Sequence, residues 1–395
     1  MGLTNPKTLW GVCLLLQMAG PAYAASDDAS PDASEDTQRQ VLHLRTEFLP
    51  YRTDRDGVYP FRQCRELIRQ AMLLSARDEM GAATCDETLH ETPPRVGHVL
   101  ELRLVERADA NRNWRVKLAS PDGGGPVFEK TYTYSNTAVY IYSGMIPILD
   151  VESRGAFVEA LQAAGLRKRE QSAGEARDPG AEIEELLRQV DLVAQYAAVR
   201  AAHRAIAEQG ESPAWLGVLV RGYANLAMLT RHQWCTATEV FAARSWLYAQ
   251  RMMVRCEESR LARWHRAYAW TLTGTLHLAL DDLRQLGQLE VPAGDAGDAG
   301  DAAGSPEVAP SWTRLIGPYS QCDRQALKQV GDEAPELKPW ALRMWFELTS
   351  AYGIGTWVTD AAEECATVIP TATGVFADTA IWGAGLGTTR MAAAM

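Results

Sequence analysis

The chain has 395 residues and a net charge of −11, with seven cysteines and twelve tryptophans. That length accommodates two domains, or one domain and a repeat array. The acidic balance excludes an electrostatic nucleic-acid binder, because the only basic run is the short Arg167-Lys168-Arg169.

At the N-terminus, Lys7 precedes the apolar run Leu9–Leu16, and Ala22-Tyr23-Ala24 is a small-x-small cleavage site. This is the pattern of an export signal over residues 1–24, with a periplasmic or secreted mature chain beginning at Ala25. The run is too short to span a membrane, and no other stretch reads as a transmembrane segment. Residues 25–38 are small and acidic, a composition that cannot bury a core.

An α+β domain is expected over residues 39–166. Val41–Phe48 reads as a strand. Phe61–Met80 carries apolar residues at helical spacing and stops at Gly81. Val99–Val105, Trp114–Leu118 and Val127–Tyr134 read as three more strands, joined by turn-forming segments, which predicts a small antiparallel sheet. A helix is expected from Val151 to Gly165. Residues 167–180 are charged and hold Ser, Gly and Pro, which marks a linker.

From residue 181 to 366 the pattern is helical. Ile183, Leu186, Leu187, Val190, Val193 and Ala197 form one apolar stripe. Ser212-Pro213 opens the next helix, with Leu216, Leu219, Val220 and Tyr223 as its inner face. Ala237–Val254 reads as a continuous helix, and a further hairpin begins at Arg260 and breaks at Thr273-Gly274-Thr275. Residues 293–310, rich in Gly, Asp and Ala, form a low-complexity insert. Residues 367–395 give no defined element.

Ala267, Trp270, Ala279 and Leu283 stand at offsets of three, nine and four residues. That order of small and bulky residues resembles a tetratricopeptide-type hairpin. There, small residues let two helices approach and aromatics fill the gap to the next hairpin. Tyr223 and Phe241 occupy similar places in the preceding hairpin, whose turn is about five residues too long for the 34-residue period. Gly222–Leu226, Trp234 and Ala242–Arg251 also resemble a family of uncharacterised exported bacterial proteins of planctomycete type, a resemblance that implies no known activity. Together these imply an all-α TPR-like solenoid after the α+β domain.

No catalytic, cofactor-binding or metal-binding residues are expected, since no zinc, phosphate-loop or nucleophile-elbow motif is present. Asp281-Asp282 and Glu257-Glu258 read as solvated pairs on helices. Six cysteines follow the cleavage site. A helix from Ala237 to Val254 holds Cys235 and Cys256 roughly 30 Å apart, too far for a disulfide, whereas Cys322 and Cys365 are candidates for one. The expected function is a scaffold that binds a protein or peptide through its helical hairpins, with Trp234 as the candidate contact. The net charge favours a partner bearing Lys or Arg. The alternative is a carbohydrate-active enzyme of α/α-toroid architecture, which needs an acid–base set in one cleft.

Overall fold

The computed structural model describes residues 41–46, 59–86, 98–106, 112–119, 126–133, 144–169, 178–231, 236–288 and 309–352. The described residues are mostly helical, with one small sheet. The chain divides into two compact units, Met1–Glu170 with Gln233–Ala243 and Gln171–His232 with Arg244–Met395. No helix among the described residues is long and apolar enough to cross a membrane.

In the first unit the strands are β1 (Val41–Thr46), β2 (Ala83–Asp86), β3 (His98–Glu106), β4 (Arg112–Ala119) and β5 (Pro126–Thr133). Their order is β2-β1-β3-β4-β5. β3, β4 and β5 form the antiparallel meander that their turns predict. The expectation of a wholly antiparallel sheet fails at β1, which pairs in parallel with both β2 and β3. The cause is α1 (Tyr59–Met80), which lies between β1 and β2. A helix that long returns the chain to the same end of the sheet, so the next strand runs parallel.

The period-2 alternation is visible in β4, where Val116 and Leu118 are buried and Arg115 is exposed. α1 ends where Gly81 takes φ 64°, a left-handed conformation that glycine adopts without steric cost. The expected helix from Val151 begins earlier and is two helices, α2 (Ile146–Arg154) and α3 (Ala156–Ala163), with Gly155 between them. Leu67, Ile68, Met72, Leu149, Phe157 and Leu161 are fully buried, and Phe128 meets Phe157 edge-on at 5.4 Å.

The later helices are α4 (Ala181–Arg188), α5 (Leu192–Gln209), α6 (Pro213–Thr230), α7 (Ala237–Arg255), α8 (Arg260–Thr273) and α9 (Leu276–Gln285). After them come α10 (Ile316–Ser320), α11 (Arg324–Glu333) and α12 (Lys338–Tyr352), with short 3₁₀ turns at Ser311–Leu315 and Pro335–Leu337. Their starts are written in the sequence. Asp191, Ser212, Ser259 and Asp323 each accept a hydrogen bond from the backbone N–H three residues on. Asp191 also explains a departure from expectation. It starts a new helix inside the apolar stripe and resets its phase, so Val193 is 76% exposed while Ala194, Ala198, Val199 and Ala202 are buried.

Helix α6 departs further. It is buried on every side from Trp215 to Thr230 rather than on one face. Such a helix occupies the middle of a core. Its two glycines permit that closeness. A Cβ at Gly217 would lie 2.4 Å from Nε2 of His265, and one at Gly222 would lie 2.6 Å from Val199.

The second unit's core is continuous from Val190 through Ala224, Met228, Tyr268, Leu283 and Tyr319 to Phe346. Trp340 donates its indole N–H to the Leu187 carbonyl at 3.0 Å, which ties α12 to the end of α4. Arg343 donates to the Met228 carbonyl at 3.4 Å, tying α12 to α6 as well. In a linear stack, each hairpin contacts only its neighbours. Here the last described helix reaches the first of the unit.

Candidate functional site

Five of the six residues expected to pack the repeat are buried in the helical unit, and the sixth, Phe241, falls in the first unit. Ala267 and Ala279 are fully buried, Leu283 is 2% exposed and Trp270 7%, and α8 packs against α9. The two helices are stitched by Arg266, which donates Nε to Oδ2 of Asp282 at 2.9 Å and Nη2 to Oδ1 at 2.5 Å. Asp282, expected on a solvated face, is instead buried, because Arg266 neutralises it. Burial outweighs the arginine and still raises the carboxyl above its ordinary pKa. Glu257 and Glu258 are exposed, but in left-handed turn conformations with φ 48° and 56° rather than on a helix.

Tyr223 is buried, and its hydroxyl sits between two groups. His203 Nε2 lies at 2.8 Å, and Arg244 donates to the hydroxyl oxygen at 3.1 Å. The ring also stacks parallel to Tyr248 at 5.9 Å. The His203–Tyr223 contact is a His/Tyr pairing of the kind a toroid enzyme requires, and His203 also lies 5.8 Å from the Tyr248 ring. With Tyr223 only 2% exposed, it is an interior hydrogen bond rather than a cleft. Phe241 is half-buried.

A second polar layer crosses the helical unit. Arg221 on α6 donates both terminal nitrogens to the carboxylate of Glu184 on α4, one of them at 2.9 Å. The guanidinium lies 5.1 Å from the centre of the Trp312 ring. Trp312 also contacts His265 at 4.9 Å and Tyr268 at 5.2 Å. Tyr268 donates to Asn225 Oδ1 at 2.7 Å, and Asn225 Nδ2 donates to Gln195 Oε1 at 2.8 Å. Gln195 Nε2 then donates to the carbonyls of Leu186, Leu187 and Gln189 at the break between α4 and α5, where the Leu186 carbonyl also accepts the Gln189 N–H at 3.3 Å.

The electrostatics of this layer follow from burial and from Arg221. Burial drives the His265 pKa down to about 3, helped by the Arg221 charge and opposed only partly by its bond to the Leu261 carbonyl. At 2.9 Å from that carbonyl, Nδ1 carries the proton and Nε2 faces Gly217. For Glu184 burial acts upward, but the hydrogen bond and charge of Arg221 outweigh it and hold the carboxyl below its ordinary range. Burial pushes the Tyr268 hydroxyl well above its ordinary pKa. These contacts join α4, α5, α6 and α8 and so fix their register, while Arg221 Nε is buried without a hydrogen-bond partner among the described residues.

The surface offers a different chemistry where α10, α11 and α12 meet. An open concavity of about 800 Å³ is lined by Gln321, Cys322, Asp323, Arg324, Gln325, Lys328 and Trp345. Trp345 is half-buried against the core and lines the concavity, and Lys328 Nζ lies 4.2 Å from its ring centre. Asp323 caps α11, accepting from the Ala326 N–H at 2.9 Å. Arg324 and Lys328 outnumber this one carboxylate among the lining residues, so the face is weakly basic although the chain is acidic. Cys322 stands at the rim, exposed, with φ 57° in a position that favours glycine.

Cys64, Cys256 and Cys322 are free thiols, and burial pushes the Cys64 thiol up to about 12. The helix separating Cys235 from Cys256 is present as Ala237–Arg255. Trp234, Cys235 and Cys365 lie outside the described residues, as do residues 293–308 of the insert. Sequence reading missed the concavity because Lys328 and Trp345 are on different helices. Their meeting depends on how α11 packs against α12. Among the described residues no group of three or more His, Cys, Asp or Glu side chains is placed to hold a metal.

No protein-family model matches the chain, and no curated protein matches it.

Proposed function

We propose that this protein is an exported scaffold whose helical unit binds a protein or peptide partner through TPR-like hairpins. The observation that carries the reading is the open concavity lined by Trp345, Arg324 and Lys328, with Lys328 Nζ 4.2 Å from the Trp345 ring centre. An aromatic lining gives contact area at little conformational cost, and the two cations give it a sign. Arginine and lysine side by side favour carboxylates, so the partner segment is acidic at this face. This reverses the sign inferred from net charge, because a local patch rather than the total governs a docked contact.

The hairpin resemblance enters through packing: Ala267, Ala279 and Leu283 are interior, as small and bulky residues of stacked hairpins are. With α6 central and α12 tied to α4, the binding face lies outside α6, on the α11–α12 side. Export rests on the Lys7 to Ala24 pattern, and mass spectrometry of the mature N-terminus reads it directly.

The test is binding of the mature chain to a defined array of acidic, neutral and basic peptides. Acidic peptides are expected to be retained, with affinity falling as salt rises. Lys328→Glu and Trp345→Ala should each weaken retention about tenfold. Selection of basic peptides, or selection unchanged in Lys328→Glu, refutes this binding face.

A further inference from the structure

Helix α5 turns two residues of the expected apolar stripe outward. Val193 and Ala197 are exposed, and Arg200 and Arg204 are exposed with them. Val193 is more exposed than any other large apolar side chain among the described residues. The four stand at i, i+4, i+7 and i+11, so they form one stripe along the helix, about 16 Å from end to end. The other side of α5, from Ala194 through Ala198 and Val199 to Ala202, is buried. The two arginines differ from others of this unit. Arg221, Arg251, Arg266 and Arg314 each hold a carboxylate. Arg200 and Arg204 make no hydrogen bond or ion pair among the described residues, and Glu208, one turn beyond Arg204, does not pair with it.

We propose that this stripe docks an acidic amphipathic helix of a partner protein. Arg200 and Arg204 lie one turn apart, about 6 Å, and a helix bearing carboxylates at i and i+4 presents them at the same interval. Each guanidinium then takes one carboxylate in its fork of N–H donors. Ala197 adds little bulk, so the partner's backbone approaches closely there. Val193, two turns from Arg200, covers an apolar side chain of the partner and leaves water on docking. The charge fixes the partner's sign, and the helical interval fixes its spacing. The stripe shares no residue with the concavity at Trp345, so it stands or falls apart from the binding proposed there.

The probe is a fluorescein-labelled peptide of about 18 residues, long enough to form a helix on contact, with Leu at i and i+4 and Glu at i+7 and i+11. Its control has the same composition in scrambled order. In fluorescence anisotropy with the mature chain, the patterned peptide should bind more tightly than the scrambled one, and its affinity should fall as salt rises. Arg200→Glu with Arg204→Glu should weaken binding about tenfold, and a peptide with Lys in place of Glu should then recover it. Val193→Ser should weaken binding about fivefold. These positions are at the surface, so the variants should melt as the parent does. The loss from the arginine reversal should persist in a Lys328→Glu background, which disables the concavity. Loss in Lys328→Glu alone, with the arginine reversal silent, overturns this face and leaves the concavity standing. Equal binding of the scrambled peptide overturns the helical occupant. Retention on phosphatidylglycerol vesicles that depends on Arg200 and Arg204, with no peptide bound, makes the stripe a lipid contact and overturns the proposal as well.

Discussion

His265 makes the stability of the helical unit depend on pH in a window where few other groups titrate. Its folded pKa, about 3, lies below the ordinary 6.5 because burial and Arg221 disfavour the cation. The unfolded chain therefore binds a proton below pH 6.5 that the folded chain refuses. Stability is complete above pH 6.5 and falls as pH drops toward 3. Each pH unit inside that window costs about 1.4 kcal/mol, so moving from pH 7 to pH 5 costs about 2 kcal/mol through this residue. Staying above pH 5 avoids the range in which Glu184, with its lowered pKa, loses its charge. The measurement is urea unfolding of the parent and of His265→Leu at both pH values. The parent should lose about 2 kcal/mol more than the variant. Equal losses would mean that His265 is hydrated or protonated in the folded protein, and that the Arg221 layer is not a dry interior.

Other perturbations test the packing. Ala279→Leu should overpack the α8–α9 contact, where Ala279 is fully buried, and cost about 1–3 kcal/mol in a thermal or urea melt; an unchanged melt removes the tight-hairpin argument. Gly217→Ala gains about 1 kcal/mol of helix propensity yet drives a methyl to 2.4 Å from His265 Nε2, so a net destabilisation is expected and should shrink in the Gly217→Ala/His265→Leu double variant. Gln63 is fully buried and both its amide atoms lack hydrogen-bond partners among the described residues, so Gln63→Met should leave stability unchanged or raise it by about 1–3 kcal/mol; a loss of that size would expose a partner for the amide. Shortening residues 293–310 to a Gly-Ser turn should shift the melting temperature by only a few degrees, since loop length enters the closure entropy logarithmically; a large drop would show that this segment packs.

Local chemistry was legible in the sequence. Ser212 and Asp191 can cap only a helix that starts just after them, Gly81 and Gly274 accept a left-handed φ that other residues resist, and the alternation around Val116 marks one buried face. These signals act over a few residues, which is why most helix and strand positions can be read from them. The direction of β1 was not legible, because pairing partners are chosen across the sheet and the crossover helix decides them. Nor was the depth of α6. Its apolar stripe looks one-sided until the surrounding helices cover the other faces, and the two close approaches at Gly217 and Gly222 appear only then. The polar layer from Glu184 to Trp312 and the basic face at Lys328 and Trp345 join residues far apart in the chain. Composition determined an acidic protein with many tryptophans, while tertiary packing decided which charges neutralise one another inside and which cations remain at the surface. Burial penalises every unpaired charge, and only the folded arrangement supplies the pairs.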